Sequence, residues 1–165
     1  MFKIKLLILL LINFTLSSCI KDNSNYIKNK YSVGHISGEY DGLILKNTLI
    51  NHLSSVGLYD DNSTHKIKSS IKHSSKLYIT NIDNTSDRLR VSSELSINIV
   101  NQKFKCVTYR FDERISQYYI YADSDKYISN NKAEKKIKEE NTNALVKEFI
   151  NKLEKPKSIC RNINE

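Results

Sequence analysis

Arg88-Leu89-Arg90-Val91-Ser92-Ser93-Glu94-Leu95-Ser96-Ile97-Asn98-Ile99 decides the fold class of this chain. Leu89, Val91, Leu95, Ile97 and Ile99 share one parity, and Arg88, Arg90, Glu94, Ser96 and Asn98 share the other. Successive side chains of a strand point to opposite faces, so the pattern describes a strand with one buried face and one wet face. Upstream, Ile67, Ile71, Leu77 and Ile79 alternate in the same way with Lys66, Lys68, Lys72 and Lys76. Residues 81–87 are turn-rich and join the two runs. Downstream, Asn101-Gln102-Lys103 reads as a tight turn without the glycine usual there. A third strand follows, with Val107, Tyr109 and Phe111 on its apolar face, running to about Tyr121. Three consecutive strands of this kind make an antiparallel meander.

Helical periodicity flanks the meander. Gly38 and Gly42 bracket Asp41, which reads as an N-cap. Behind it Leu45, Leu49, Leu53 and Val56 recur at helical spacing, and Gly57 supplies a stop, so a helix is expected over 41–57. Val33 to Ile36 reads as a short edge strand. Ala133, Ile137, Leu145, Phe149 and Leu153 form a second helical stripe, with Ser124 or Asp125 as its cap and Pro156 as its end. The expected fold is α+β: a two-layer domain in which a small antiparallel sheet, the meander plus an N-terminal strand, is covered on one face by two helices.

The start of the chain has a different character. Lys3 and Lys5 precede an uncharged apolar run from Leu6 to Leu16, and Leu16-Ser17-Ser18-Cys19 closes it. A basic segment, a short apolar core and small residues describe a secretory signal peptide, and the core is too short to span a bilayer. A branched apolar residue and two small residues before Cys make the site a lipobox, so Cys19 is the expected lipidation site. Acyl chains on that residue anchor the chain to a membrane rather than thread it through. Ile20 is not an acidic retention signal, which favours the outer membrane. The expected organisation is a signal peptide over 1–18, a lipidated tether over 19–31, the domain over 32–155 and a flexible tail over 156–165.

The formal charge is +8, and it stays basic once Lys3 and Lys5 are set aside. A secreted, anchored protein meets anionic lipid rather than nucleic acid, although a lysine-rich surface is also simply a solvated one. The residues do not converge on chemistry. His35, His52, His65 and His73 lack metal-ligand spacing, and Asp112 and Glu113 are adjacent in a strand and point apart. No phosphate-binding glycine loop or hydrolase elbow occurs. The expectation is a protein that is not an enzyme and carries no metal or cofactor. Tyr118, Tyr119 and Tyr121 cluster at the end of the third strand and read as interface residues. Arg88 and Arg90 project from the wet face beside a hairpin tip, where guanidinium groups can fork onto phosphate or carboxylate. Cys106 and Cys160 can pair in an oxidising compartment, a point the sequence leaves open.

The order of elements and several strings resemble the LptE family of lipopolysaccharide-assembly lipoproteins, in its alphaproteobacterial form. They are the lipobox at Cys19, the helix with Leu45-Lys46-Asn47 leading to Leu49 and Leu53, the segment from Asn84 to Val91, and the passage from Tyr119 to Tyr127 and on to Ala133-Glu134. The resemblance implies an outer-membrane lipoprotein, lipid-anchored on the periplasmic side. It implies a plug and assembly partner inside the lumen of the LptD β-barrel, working in the transport of lipopolysaccharide to the outer leaflet. It also makes Arg88, Arg90, Lys103 and Lys105 the candidate contacts to lipopolysaccharide phosphates. The alternative is an auxiliary lipoprotein of another lipid-transport ABC system.

Overall fold

The computed structural model describes residues 29–36, 38–79, 87–120, 127–153 and 160–162. Its elements are β1 (Ser32–Val33), α1 (Glu39–Ser55), β2 (His65–Ile79), β3 (Asp87–Asn101), β4 (Cys106–Ile120), α2 (Tyr127–Leu153) and β5 (Arg161–Asn162). The sheet order is β1-β2-β3-β4-β5. The meander is present as expected: β2 pairs antiparallel with β3 from His65↔Asn101 to Ile79↔Asp87, and β3 with β4 from Arg88↔Ile120 to Asn101↔Cys106. Strands of this length span about 50 Å, so the sheet has a turn end, at Asn101 and Cys106, and a far end, at Arg88 and Ile120.

The alternation in β3 is obeyed. Val91, Leu95, Ile97 and Ile99 are buried under the helices, whereas Glu94 is exposed on the other side. Both helices lie on that one face. Leu45, Leu49 and Leu53 of α1 and Leu145, Val146, Phe149 and Ile150 of α2 meet Ile67, Leu95, Ile97, Ile99 and Phe111 in a single core. The edge of Phe111's ring meets the Phe149 ring at 5.5 Å between centroids.

Several details differ from the sequence reading. The first helix begins at Glu39, with Gly38 as its N-cap at φ 109°; Asp41 lies in the first turn, where its charge suits the helix dipole without capping it. The helix stops at Ser55, two residues short of the expected end, and Gly57 closes it. Gly57 N–H donates to Ser54 O (3.1 Å) and Leu58 N–H to Leu53 O (2.8 Å), a Schellman closure that needs the left-handed backbone of Gly57 (φ 72°). The N-terminal strand is two residues, not four, and it runs parallel to β2 (Ser32↔Lys66, Val33↔Ile67), so the sheet is mixed. Tyr31, assigned to the tether, is buried in the core. The hairpin turn manages without glycine. Asn101 Oδ1 accepts from the N–H groups of Lys103 (3.0 Å) and Phe104 (3.2 Å), and Lys105 takes the left-handed conformation at φ 50°.

Within 156–165, where a tail was expected, Arg161–Asn162 pair with Val107 and Cys106 as a fifth strand. The reason is covalent: Cys106 and Cys160 form a disulfide with Cα atoms 5.5 Å apart. Two residues of strand leave no periodicity in a sequence. The lipobox with Cys19, most of residues 81–87, Tyr121, the expected caps Ser124 and Asp125, and Pro156 lie outside the described residues.

Candidate functional site

The face of the sheet turned away from the helices is cationic. Its rows follow from the register. Tyr78, Arg88 and Ile120 form the row at the far end; Lys76, Arg90 and Tyr118 come next; then Ser74, Ser92 and Ser116; then Lys72, Glu94 and Arg114. Towards the turn end follow Ser70, Ser96 and Asp112, and then Lys68, Asn98 and Arg110. Among these rows only Glu94 and Asp112 are acidic. Glu94 lies between two cations, and Asp112 accepts from Ser96 Oγ. The narrow serine rows keep the face low. Ser92 and Ser116 hydrogen-bond to one another at 2.8 Å, and Arg110 Nε donates to Asn98 Oδ1 at 3.1 Å.

At the far end the cations meet aromatic rings. The Arg90 guanidinium lies over the Tyr78 ring, 4.9 Å from its centroid, and Lys76 Nζ approaches the same ring at 5.5 Å. Tyr78 meets Tyr118 edge-on at 6.3 Å. Stacking of this kind holds a guanidinium flat and keeps its charge in place. Buried Arg90 Nε has no hydrogen-bond partner. Beside the cluster on the same face the surface is apolar: Ile120 is 72% exposed and Tyr118 57%. A basic row bounded by exposed apolar side chains suits an amphipathic anion better than a fully hydrated one.

The four residues expected to contact an anion do not form one site. Arg88 and Arg90 lie in the far-end cluster. Lys103 and Lys105 lie in the β3–β4 turn at the other end, about 35 Å away by strand rise, with Lys103 Nζ over the Phe104 ring at 5.6 Å. The physical reason is the length of β3, which carries a sequence neighbourhood of a dozen residues across the whole sheet. Lys76 takes the place of the turn lysines. It was missed although its parity with Lys66, Lys68 and Lys72 was plain, because only the pairing Lys76↔Arg90 brings it to the cluster.

A second polar feature lies beneath the helices. Gln117 Nε2 donates to Asn141 Oδ1 (2.8 Å), Asn141 Nδ2 donates to Ser93 Oγ (3.0 Å), and Ser93 Oγ contacts His73 Nδ1 (2.7 Å). Burial pushes the His73 pKa down, as does Lys138, against the opposing pull of Asp41. His73 also borders a cavity of about 240 Å³ between the start of α1 and α2, lined among others by Tyr40, Asp41, Glu134 and Lys138. Burial would raise the pKa of Glu134. Hydrogen bonds from Lys138 and Ser75, with the Lys138 charge, outweigh this and hold it below the usual value. Tyr40 OH closes one side of the cavity by donating to Glu139 at 2.7 Å. Among the described residues no cluster of His, Cys, Asp or Glu has the make-up of a metal site, and no helix is long and apolar enough to cross a membrane.

No family model matches the chain, and no curated protein sequence matches it. Solved structures do. Rare lipoprotein B from Shewanella oneidensis superposes with a TM-score of 0.59 at 9% identity, over 76% of this chain and 94% of that one. A minor lipoprotein from Acinetobacter baumannii gives 0.51 at 14% identity, over 77% of this chain and 93% of that one. The two-helix, one-sheet domain is a fold found in bacterial lipoproteins.

Proposed function

We propose that this protein is a lipid-anchored outer-membrane lipoprotein of the LptE type, acting as plug and assembly partner of an LptD-type β-barrel in lipopolysaccharide transport. The observation that carries the reading is the cationic sheet face with its aromatic, apolar far end, on a fold found in bacterial lipoproteins. A plug needs a stiff domain with a polar exterior, and a single core beneath a serine- and lysine-rich face supplies both. Lipid A is an amphipathic phosphate, and the row of Lys76, Arg90 and Tyr118 offers charge beside ring and aliphatic surface. In this reading Arg88, Arg90 and Lys76 contact the phosphates, Cys19 carries the anchor, and Lys103 and Lys105 have no part in the same contact.

The test is purification of the tagged, acylated protein from outer membranes with identification of its main partner. Recovery of a large β-barrel in a stable complex supports the plug. Recovery of an inner-membrane ATPase complex sinks it in favour of an auxiliary lipoprotein of a different lipid-transport system. Charge reversal of Arg88 and Arg90 should weaken lipopolysaccharide binding at least tenfold, while reversal of Lys103 and Lys105 should leave it within twofold. Equal losses from the two pairs would remove the far-end assignment.

A further inference from the structure

The two long edges of the sheet are protected differently. β1 covers only Lys66 and Ile67 of β2, and β5 covers only Cys106 and Val107 of β4, so among the described residues nothing else pairs with the outer main chain of either strand. The β2 edge carries Lys66, Lys68, Lys72 and Lys76 with no carboxylate, the usual guard against strand addition. The β4 edge carries no charge, proline or glycine from Ile115 to Ile120, and Tyr118 and Ile120 stand exposed along it. Arg110, Asp112, Glu113 and Arg114 charge the earlier part of that edge with both signs, so the unguarded stretch is Ile115 to Ile120, a liability unless a partner covers it.

The main-chain directions follow from one hydrogen bond. Gly34 N–H donates to Ile67 O (2.9 Å), so odd-numbered residues of β2 turn their N–H and C=O groups away from β3. Carried across the odd-to-odd registers, odd residues of β4 face β3, and Arg114, Ser116, Tyr118 and Ile120 present theirs outward. The same edge already accepts a strand at β5.

We propose that the β4 edge from Thr108 to Ile120 takes an added strand from a partner protein, an extended segment bearing carboxylates beside Arg110 and Arg114 and apolar residues beside Tyr118 and Ile120. The charge preference comes from the open face. Arg114 lies across from Glu94, which also faces Lys72, and Asp112 is engaged by Ser96, so a neighbouring strand meets net positive charge from Arg110 and Arg114 there. Main-chain hydrogen bonds supply affinity and the alternate side chains supply choice of partner. The proposal stands on the sheet edge alone and is independent of the lipid-transport reading.

Amide hydrogen exchange on the isotope-labelled protein tests it, with two ten-residue peptides as probes, each with Thr at every second position; on the other parity the Val–Glu peptide carries Glu in one half and Val in the other, and the Val–Lys peptide has Lys in place of Glu. The Val–Glu peptide should slow exchange at Ser116 and Tyr118 at least tenfold, leaving Ile71 and His73 on the β2 edge unchanged; the Val–Lys peptide should do neither. Ser116→Pro removes an outward N–H without touching the β3–β4 ladder, and Ser116→Lys installs the guard that β2 has. Each should keep the circular dichroism spectrum and lose most of the slowing. Absence of slowing, equal slowing by both peptides, or equal slowing on both edges overturns the proposal. So does protection that grows with protein concentration in the absence of peptide, which would assign the edge to a second copy of this chain.

Discussion

The helix-covered face of the sheet is apolar towards the turn end and mixed in its outer half, where polar side chains stand among apolar ones such as Val91. Near the turn, Ile67, Leu95, Ile97, Ile99 and Phe111 lie under leucines, a valine and a phenylalanine with nearly no exposure. Further out the same face holds His73, Ser75, Ser93 and Gln117, met by Asn141, Glu134 and Lys138 of α2. Apolar burial is non-directional and supplies most of the stability, whereas a buried polar chain holds one register and is costly when any member is lost. One half of the molecule makes the domain fold; the other aligns α2 over the strands that carry the cationic cluster.

The comparison predicts a graded set of outcomes. Phe149→Ala, in the apolar half, should cost about 4 kcal/mol in urea unfolding, because it empties the space between Phe111 and Tyr109. Cys160→Ser should cost about 3 kcal/mol by freeing a long loop in the unfolded chain, and should speed amide exchange at Cys106 and Val107 while leaving the far end untouched. Asn141→Ala should cost about 2 kcal/mol, because Gln117 and Ser93 each lose a buried partner. A loss equal to that of Phe149→Ala would mean that the polar half is as strong as the apolar one.

Smaller effects separate the halves further. The His73 pKa is depressed in the folded protein, so below its ordinary value of 6.5 the unfolded chain binds the extra proton more readily. Stability should therefore be unaffected by His73 above that pH and fall as pH drops through and below it. His73→Gln should flatten this slope, as read by thermal unfolding at a series of pH values. Lys105→Gly should raise stability by about 0.5 kcal/mol, since glycine takes the φ 50° backbone without the strain that a side chain brings.

Much of the fold was legible because period two and period 3.6 survive in the residues that matter. Val91 to Ile99 and Leu45 to Leu53 read as they fold. What the pattern could not supply was pairing over distance. The two-residue strands β1 and β5 have no period to read. The disulfide had two possible states on paper, and only the proximity of Cys106 to the end of the chain chose between them. The candidate site was legible in part for the same reason. Arg88 and Arg90 were visible as a pair on a wet face, but Lys76 and Tyr118 join them through registers that no local string records. Lys103 and Lys105 looked near in sequence and lie at the opposite end of a long strand. The buried chain from Gln117 to His73 gave no signal, because isolated polar residues on an apolar parity look like errors in the pattern until they are seen to meet.

Both described ends of the chain leave from one place. Tyr31 and Ser32 pack at the start of β2, and Cys160 is bonded beside the hairpin turn, so residues 29–32 and 160–162 share the turn end. The domain is thus held by one extremity, as a blade is held by its handle. Whatever grips residues 29–30 fixes the turn end in position, and the cationic cluster then swings on an arm of about 35 Å. Small changes of angle at the grip become displacements of many ångströms at the far end. A grip at the turn end therefore sets the radius over which the far end can move.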